Sequence, residues 1–123
     1  MVAMSEVEAL TERIVEEFDP DKVILFGSHA YGTPKAWSDV DLLVLMPFSG
    51  NSFDRATEIL ERIDHPFCVD VIVRDPIDAK RRYEEFDSLI RDAFDRGVLL
   101  HEREDMHLPS SALDKRGGSP GVR

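Results

Sequence analysis

The chain has 123 residues, 42% of them hydrophobic and 33% charged, and its formal net charge is −10. This composition is ordinary for a globular protein, so we expect one domain with its own hydrophobic core. The excess of acids, 25 against 15 bases, disfavours tight binding to nucleic acid, whose phosphates attract basic surfaces. A lone cysteine, Cys68, excludes an internal disulfide. The acidic N-terminal segment has the pattern of neither a signal peptide nor a membrane span, so we expect a cytoplasmic protein.

Apolar periodicity predicts an alternation of helices and strands. The first predicted helix runs from Ser5 to Phe18, with Ser5 as N-cap and Glu8 completing a capping box. The later elements are strands over 23–26, 40–45 and 69–73, helices over 53–63 and 76–96, and a short closing strand over 98–100. This order predicts an α/β (α+β) fold, a mixed sheet flanked by helices.

The last predicted helix has start and stop signals and an apolar stripe. It opens at Asp75-Pro76 and ends with Gly97 as its C′ residue. The stripe consists of Phe86, Leu89, Ile90, Ala93 and Phe94. Periodicity stops near Arg103, so we expect a domain over 1–102 and a disordered tail over 103–123.

Two acids, Asp39 and Asp41, lie at the start of the predicted second strand. Residues two apart in a strand face the same side, with Cα atoms roughly 6.5 to 7 Å apart. Their carboxylates can therefore converge on one or two hard cations, and Mg²⁺ is typically held by one or two carboxylates plus substrate phosphates.

A third acid, Asp70, lies inside the apolar run of the third strand. An ionised acid in such a run is costly unless it is paired or bound to metal. If this strand neighbours the second, three acids on one sheet face can hold two Mg²⁺ ions, an arrangement used for phosphoryl displacement. The alternative is that Asp70 is a surface acid on an edge strand.

Gly27 and Ser28 follow the first strand directly. Glycine permits a sharp turn and a close approach of the backbone to a ligand. A helix beginning near Ser28 would direct free N–H groups at an anion, and the Ser28 hydroxyl adds a donor for triphosphate oxygens. We expect Ser38 to shape the turn into the second strand, and we count it with Gly27 and Ser28 as nucleotide-binding.

Three further side chains flank these residues in sequence. His29 could touch a substrate, but a solvated loop histidine is the preferred interpretation. Tyr31 and Trp37 could each stack on a base or pack against the sheet, and the sequence does not separate these alternatives.

The spacing from Gly27-Ser28 through Gly32 to Ser38-Asp39-Val40-Asp41 resembles the nucleotidyltransferase superfamily that includes DNA polymerase beta. The match is closest to its small prokaryotic branch, the minimal nucleotidyltransferases. The resemblance implies that Asp39, Asp41 and Asp70 are metal ligands and catalytic residues, with Asp70 also a candidate base toward the acceptor. It implies that Gly27 and Ser28 hold the triphosphate of ATP. Many relatives carry arginine immediately before the second glycine, where this chain has Tyr31.

The resemblance also implies a partner. Members of this branch often pair with a small helical protein of the HEPN class as toxin–antitoxin systems, in which the nucleotidyltransferase resembles the antitoxin. It would adenylylate a tyrosine of the toxin, bind the toxin, or both, so we expect a hetero-oligomer. Two alternatives stay open, namely an antitoxin that only binds and an enzyme acting on a small molecule or an RNA end. The acidic charge disfavours RNA, and the short chain disfavours a small-molecule acceptor.

Overall fold

The computed structural model describes residues 2–104, which form a four-stranded sheet with helices on both faces. The helices are α1 (Met4–Phe18), α2 (Ser28–Tyr31), α3 (Ser52–Arg62), α4 (Pro76–Glu84) and α5 (Ser88–Arg96). The strands are β1 (Lys22–Phe26), β2 (Val40–Leu45), β3 (Val69–Arg74) and β4 (Val98–Glu102). None of the helices within residues 2–104 is long and apolar enough to span a membrane. The predicted fold class is confirmed.

The sheet has the strand order β3-β2-β1-β4 and contains both kinds of pairing. β1 pairs antiparallel with β2 and with β4, whereas β2 and β3 run parallel. Phe26 at the end of β1 is paired with Asp41 near the start of β2, and Asp41 is paired with Asp70 near the start of β3. One end of the sheet therefore gathers the end of β1 and the beginnings of β2 and β3.

The core has two layers because side chains alternate across the sheet. Between the sheet and helices α1 and α3 lie Val7, Leu10, Ile14, Leu42, Val44 and Ile59, among others. Between the sheet and helices α4 and α5 lie Ile24, Phe26, Leu43, Leu45, Ala79, Ile90 and Ala93. Asp41 is two residues before Leu43, so its carboxylate lies on the α4/α5 face.

Helix α1 begins one residue earlier than predicted, at Met4. Ala3 occupies the N-cap position, and its N–H donates to Oε1 of Glu6 at 2.9 Å. The predicted cap at Ser5 and capping box with Glu8 are therefore wrong, because both residues lie inside the first turns. The end is as predicted, since Asp19 turns into the left-handed region with φ 49°.

The single long helix predicted over 76–96 is two helices. Phe86 between them has φ 65°, and Asp87 caps α5 by accepting from the N–H of Ile90 at 3.2 Å. An N-cap signal inside the periodic run thus overrides the periodicity. The predicted apolar stripe is correspondingly right for two of its five residues. Ile90 and Ala93 are buried, whereas the remaining three are exposed: Phe86, Leu89 and Phe94.

The predicted tail lies almost wholly outside the described residues. Its first residue, Arg103, is described and is anchored to the turn before β1. The Arg103 N–H donates to the carbonyl of Asp21 at 2.8 Å, and its guanidinium forms ion pairs with Asp19 at 3.2 Å and Asp21 at 3.3 Å. Arg103 therefore packs with the folded domain.

Candidate active site

Three acidic residues meet where β2 and β3 begin. Asp41 and Asp70 are direct partners in the parallel register of the two strands, and Asp39 lies immediately before β2. Directly paired residues have Cβ atoms roughly 5 Å apart on the same face. The predicted adjacency of the second and third strands is therefore confirmed, and it brings Asp70 beside Asp41.

The electrostatics of the cluster are unfavourable without a cation. Burial raises the pKa of Asp41 to about 6, assisted by the negative charges of Asp70 and Asp39, while His29 opposes the shift. Within residues 2–104, no lysine or arginine forms an ion pair with any of the three acids. The site thus carries negative charge that these side chains leave uncompensated.

The surroundings of Asp70 differ from those predicted. β3 is an edge strand, and Asp70 is exposed while Val71 and Val73 on the opposite face are buried. The expectation that Asp70 is buried in an apolar strand is therefore wrong. Asp70 is a surface acid on an edge strand, which was the alternative interpretation. Its position beside Asp41 is set by strand register and does not need burial.

Gly27 forms the wall of the site next to Asp41. It has φ 78° and ψ −157°, a conformation open essentially only to glycine. A Cβ at this position would lie 2.2 Å from Oδ2 of Asp41, so any side chain would displace the carboxylate. The turn after β1 therefore packs directly against the side chain of Asp41.

A short helix, α2, begins at Ser28, where apolar periodicity predicted no element and a helix was considered only for its free N–H groups. Its turn is closed by hydrogen bonds from the N–H groups of Ala30 and Tyr31 to the carbonyl of Gly27, each 3.0 Å. A Cβ on Gly32 would lie 2.9 Å from the Cα of Ser28, so the second glycine of the motif lets the chain pass close to the helix start. Gly32 therefore permits close packing against Ser28, as Gly27 does against Asp41.

Ser38 shapes the turn that leads into β2. Its Oγ accepts from the N–H of Lys35 at 2.9 Å, and its own N–H donates to the carbonyl of Lys35 at 3.1 Å. The expected turn role is thus visible. Its assignment to nucleotide binding stays a prediction.

His29 has a contact that the sequence did not reveal. Its ring is half-buried, and Nε2 lies 3.2 Å from the carbonyl oxygen of Ser38, nine residues away. The preferred interpretation as a solvated loop histidine is wrong. No periodicity or spacing signals this contact, because it depends on how the loop folds back.

The two aromatic residues near the site differ in their environments. Tyr31 packs against the α4/α5 core layer, with the guanidinium carbon of Arg96 4.3 Å from its ring centroid. Trp37, two residues before Asp39 in the sequence, is 79% exposed. Tyr31 therefore has a packing role, and Trp37 is the aromatic side chain that is free to contact a ligand or partner.

A cavity of about 450 Å³ lies away from these residues, between α1 and β4. Its lining includes Glu8, Glu12 and Leu100, and α1 covers the face of the sheet opposite Asp41. The cavity contains none of Asp39, Asp41 and Asp70 and neither motif glycine, so it is separate from the candidate site.

The donor set fits a divalent cation. Carboxylate oxygens are the ligands that Mg²⁺ prefers, and clustered negative charge would be relieved by such an ion. Within residues 2–104, no three His, Cys, Asp or Glu side chains are already converged in metal-binding geometry. The backbone nevertheless places the acids as neighbours, and the exposed side chains of Asp39 and Asp70 are free to rotate toward Asp41.

Comparison with known proteins gives consistent results. Residues 7–100 match the nucleotidyltransferase domain family. A Haemophilus influenzae protein named probable protein adenylyltransferase MntA is 30% identical over 103 residues, covering 81% of this chain and 83% of the relative. A solved Sulfolobus solfataricus structure assigned as a nucleotidyltransferase has a TM-score of 0.59 at 26% identity, covering 82% of this chain and 81% of that one.

A second solved structure, a toxin–antitoxin with AMP-PNP, supports the fold alone. It has a TM-score of 0.50 at 17% identity and covers 79% of this chain and 74% of that one. The family match spans most of the chain and includes the Gly27–Asp41 segment and Asp70. The chain therefore belongs to the nucleotidyltransferase domain family, as its motif spacing indicated, and is a nucleotidyltransferase.

Proposed function

We propose that this nucleotidyltransferase transfers AMP from ATP to a tyrosine hydroxyl of a HEPN-type helical toxin, and thereby acts as the antitoxin in a hetero-oligomer. The relative named as a protein adenylyltransferase supports protein as the acceptor. The toxin–antitoxin structure with AMP-PNP has the same fold and supports the pairing with a nucleotide and a partner.

One observation carries the proposal, namely the contact between Gly27 and the carboxylate of Asp41. It makes the turn proposed for the triphosphate and the proposed metal ligand two walls of one site. A nucleotide with its phosphates at Gly27 and Ser28 would lie beside the carboxylates that must neutralise it through a shared cation. Nucleotidyl transfer needs this adjacency, because positioning and electrostatics supply most of its rate.

The residues proposed to hold Mg²⁺ are Asp39, Asp41 and Asp70. Bound there, Mg²⁺ would offset the charge of the triphosphate and stabilise the departing pyrophosphate. Asp41 and Asp70 are fixed by strand pairing. Asp41 gives up its proton near neutral pH, since its pKa is raised to about 6.

The transfer itself would proceed by in-line attack. The acceptor oxygen forms a bond to the α-phosphorus while the bond to the bridging oxygen breaks and pyrophosphate leaves. The proton of the acceptor hydroxyl goes to a carboxylate oxygen of Asp70, which is exposed and so within reach of an acceptor. Ser28 donates its hydroxyl hydrogen to a phosphate oxygen.

The openness of the site favours an acceptor on a macromolecule. Asp39 and Asp70 are exposed, and Trp37, two residues before Asp39, is 79% exposed. A large exposed aromatic near polar residues is a frequent anchor in protein interfaces. A tyrosine on a partner surface could reach these acids without a deep pocket.

Ser28→Ala is expected to raise the KM for ATP by about tenfold, because it removes roughly one hydrogen bond to a charged group. The fold should persist, because the turn at α2 is closed by backbone hydrogen bonds to the Gly27 carbonyl. Steady-state kinetics over a range of ATP concentrations measures this. Ser49→Ala, at an exposed loop position, is the matched control. Unchanged KM and turnover in Ser28→Ala would remove Ser28 from the triphosphate site.

Mass spectrometry of the partner tests the proposed acceptor. The proposed partner, a HEPN-type helical protein, is incubated with the enzyme, ATP and Mg²⁺, then digested and mapped. AMP on a tyrosine of the partner is expected, and its absence with Asp41→Asn assigns the reaction to this site. A stable complex without any modification would instead favour the second candidate, an antitoxin that only binds. AMP found on a small molecule or an RNA end would replace the protein acceptor.

A further inference from the structure

The connection between β1 and β2 carries both halves of the proposed site. Gly27 and Ser28 lie at its beginning, and Asp39 lies at its end. Most residues between Gly32 and Asp39 are exposed. An exposed connection of this kind has little packing to fix its end, so the position of Asp39 depends on specific hydrogen bonds.

His29 ties the beginning of this connection to its end. Its Nε2 lies 3.2 Å from the carbonyl oxygen of Ser38. A carbonyl only accepts, so Nε2 carries the hydrogen in this pair. The Ser38 carbonyl belongs to the peptide unit that joins Ser38 to Asp39. The His29 ring therefore holds the backbone immediately before Asp39.

The backbone immediately after Asp39 is held independently. The N–H of Val40 donates to the carbonyl of Cys68, next to β3, at 2.9 Å. Asp39 thus lies between two hydrogen bonds, one donated by a side chain of α2 and one accepted by the residue just before the strand that carries Asp70. Of these two, only the His29 bond can be removed by substituting a side chain.

The charges of the cluster oppose this arrangement. Asp41 and Asp70 are direct partners in the strand register, and Asp39 lies immediately before β2, so the three carboxylates lie close enough to repel one another. Without a cation, repulsion favours movement of Asp39 away, because it is exposed and lies outside the strand. The His29 hydrogen bond resists that movement.

We infer that His29 is a positioning residue that holds Asp39 beside Asp41 through the Ser38 carbonyl, and so sets the affinity of the site for divalent cations. This inference rests on the proposed function, since it assumes that the acids bind Mg²⁺. His29 acts through the backbone and does not itself coordinate the ion. Groups that orient metal ligands typically change metal affinity by about 10- to 100-fold when they are lost.

Substitution of His29 separates its hydrogen bond from its charge. His29→Leu keeps the bulk of the ring but removes the donor, and His29→Ala serves as a second variant should the leucine disturb the fold. His29→Gln restores an N–H donor at a similar reach without an ionisable ring. Rescue by glutamine would therefore assign the effect to the hydrogen bond.

The readout is Mg²⁺ binding in the full chain, followed by calorimetry and by tryptophan fluorescence. Trp37 is the single tryptophan, and it is next to Ser38, so it reports on this segment directly. We expect about tenfold weaker Mg²⁺ binding in His29→Leu and His29→Ala, and near wild-type binding in His29→Gln. At subsaturating Mg²⁺ the transfer rate of His29→Leu should fall, and excess Mg²⁺ should restore it.

His65→Leu is the matched control. Nδ1 of this exposed histidine lies 3.3 Å from the carbonyl oxygen of Phe67, in the segment before β3. The His65→Leu variant should bind Mg²⁺ as the wild type does. Equal Mg²⁺ affinity in wild type, His29→Leu and His29→Ala would overturn the positioning role and leave the proposed function intact. Failure of the wild type itself to bind Mg²⁺ would overturn both.

Discussion

Asp41→Asn is expected to lose AMP transfer by about a thousandfold or more, and to make the cation-free protein more stable. The loss follows because Asp41 is a proposed metal ligand. Such a ligand contributes several kcal/mol to the transition state, and about 4 kcal/mol corresponds to a thousandfold. The gain follows because Asp41 pairs directly with Asp70 and is half-buried. Activity and stability should therefore move in opposite directions.

The stability change should depend on pH. The pKa of Asp41 is raised from 3.8 to about 6 in the folded protein, so protonation favours the folded state. The ionised carboxylate destabilises the fold progressively as pH rises from about 4 to about 6, and the penalty persists above that range. Asparagine resembles the neutral carboxyl. Its advantage should be on the order of 1 kcal/mol near pH 8, after discounting for solvent screening, and should vanish toward pH 4.

Thermal unfolding in the presence of a chelator measures this effect at each pH. Asp64→Asn is the matched control, because the Asp64 side chain is 97% exposed and lies 3.9 Å from its ion-pair partner Arg13. It should change neither transfer nor stability appreciably. Retained transfer in Asp41→Asn would contradict the assigned role of the carboxylate, and a less stable variant would mean that the loss reflects unfolding.

Gly27→Ala is expected to abolish transfer and to lower the free energy of unfolding by about 3 kcal/mol. Two physical causes combine at this position. The backbone has φ 78° and ψ −157°, which alanine adopts only with strain, and the added Cβ would lie 2.2 Å from Oδ2 of Asp41. The carboxylate must therefore move, together with the turn proposed to bind the triphosphate.

Gly50→Ala isolates the backbone contribution. Gly50 also has positive φ, 85°, but a Cβ there would meet nothing within 4 Å. We expect it to cost about 1 kcal/mol and to leave transfer unchanged. Denaturant unfolding and transfer assays on both variants distinguish strain from displacement of Asp41. Equal effects of the two substitutions would show that the Gly27–Asp41 contact is unimportant.

The sequence predicted the strands well because they depend on local apolar patterns. β2 was predicted with its correct bounds from one apolar run, and β1 and β3 extend beyond theirs by one residue. The lateral approach of Asp70 to Asp41 needed only the assumption that two strands are neighbours. Parallel pairing then fixes the register of the two acids.

Three features could not be predicted from apolar patterns alone. The chain breaks at Phe86 because Asp87 caps a new helix there. Apolar periodicity continues through this point, so it does not show whether the cap or the continuous helix is favoured. The exposure of Asp70 follows from the strand order, which the apolar run does not encode. The His29–Ser38 contact spans a loop whose path no spacing rule predicts.

Parallel assays with α-labelled and γ-labelled ATP test the central claim most directly. Enzyme, Mg²⁺ and the proposed HEPN-type partner are incubated with each nucleotide, and the proteins are resolved on a denaturing gel. We predict label on the partner from α-labelled ATP alone, and none with Asp39→Asn. Label from γ-labelled ATP, or α-label that persists in Asp39→Asn, would contradict AMP transfer at this site.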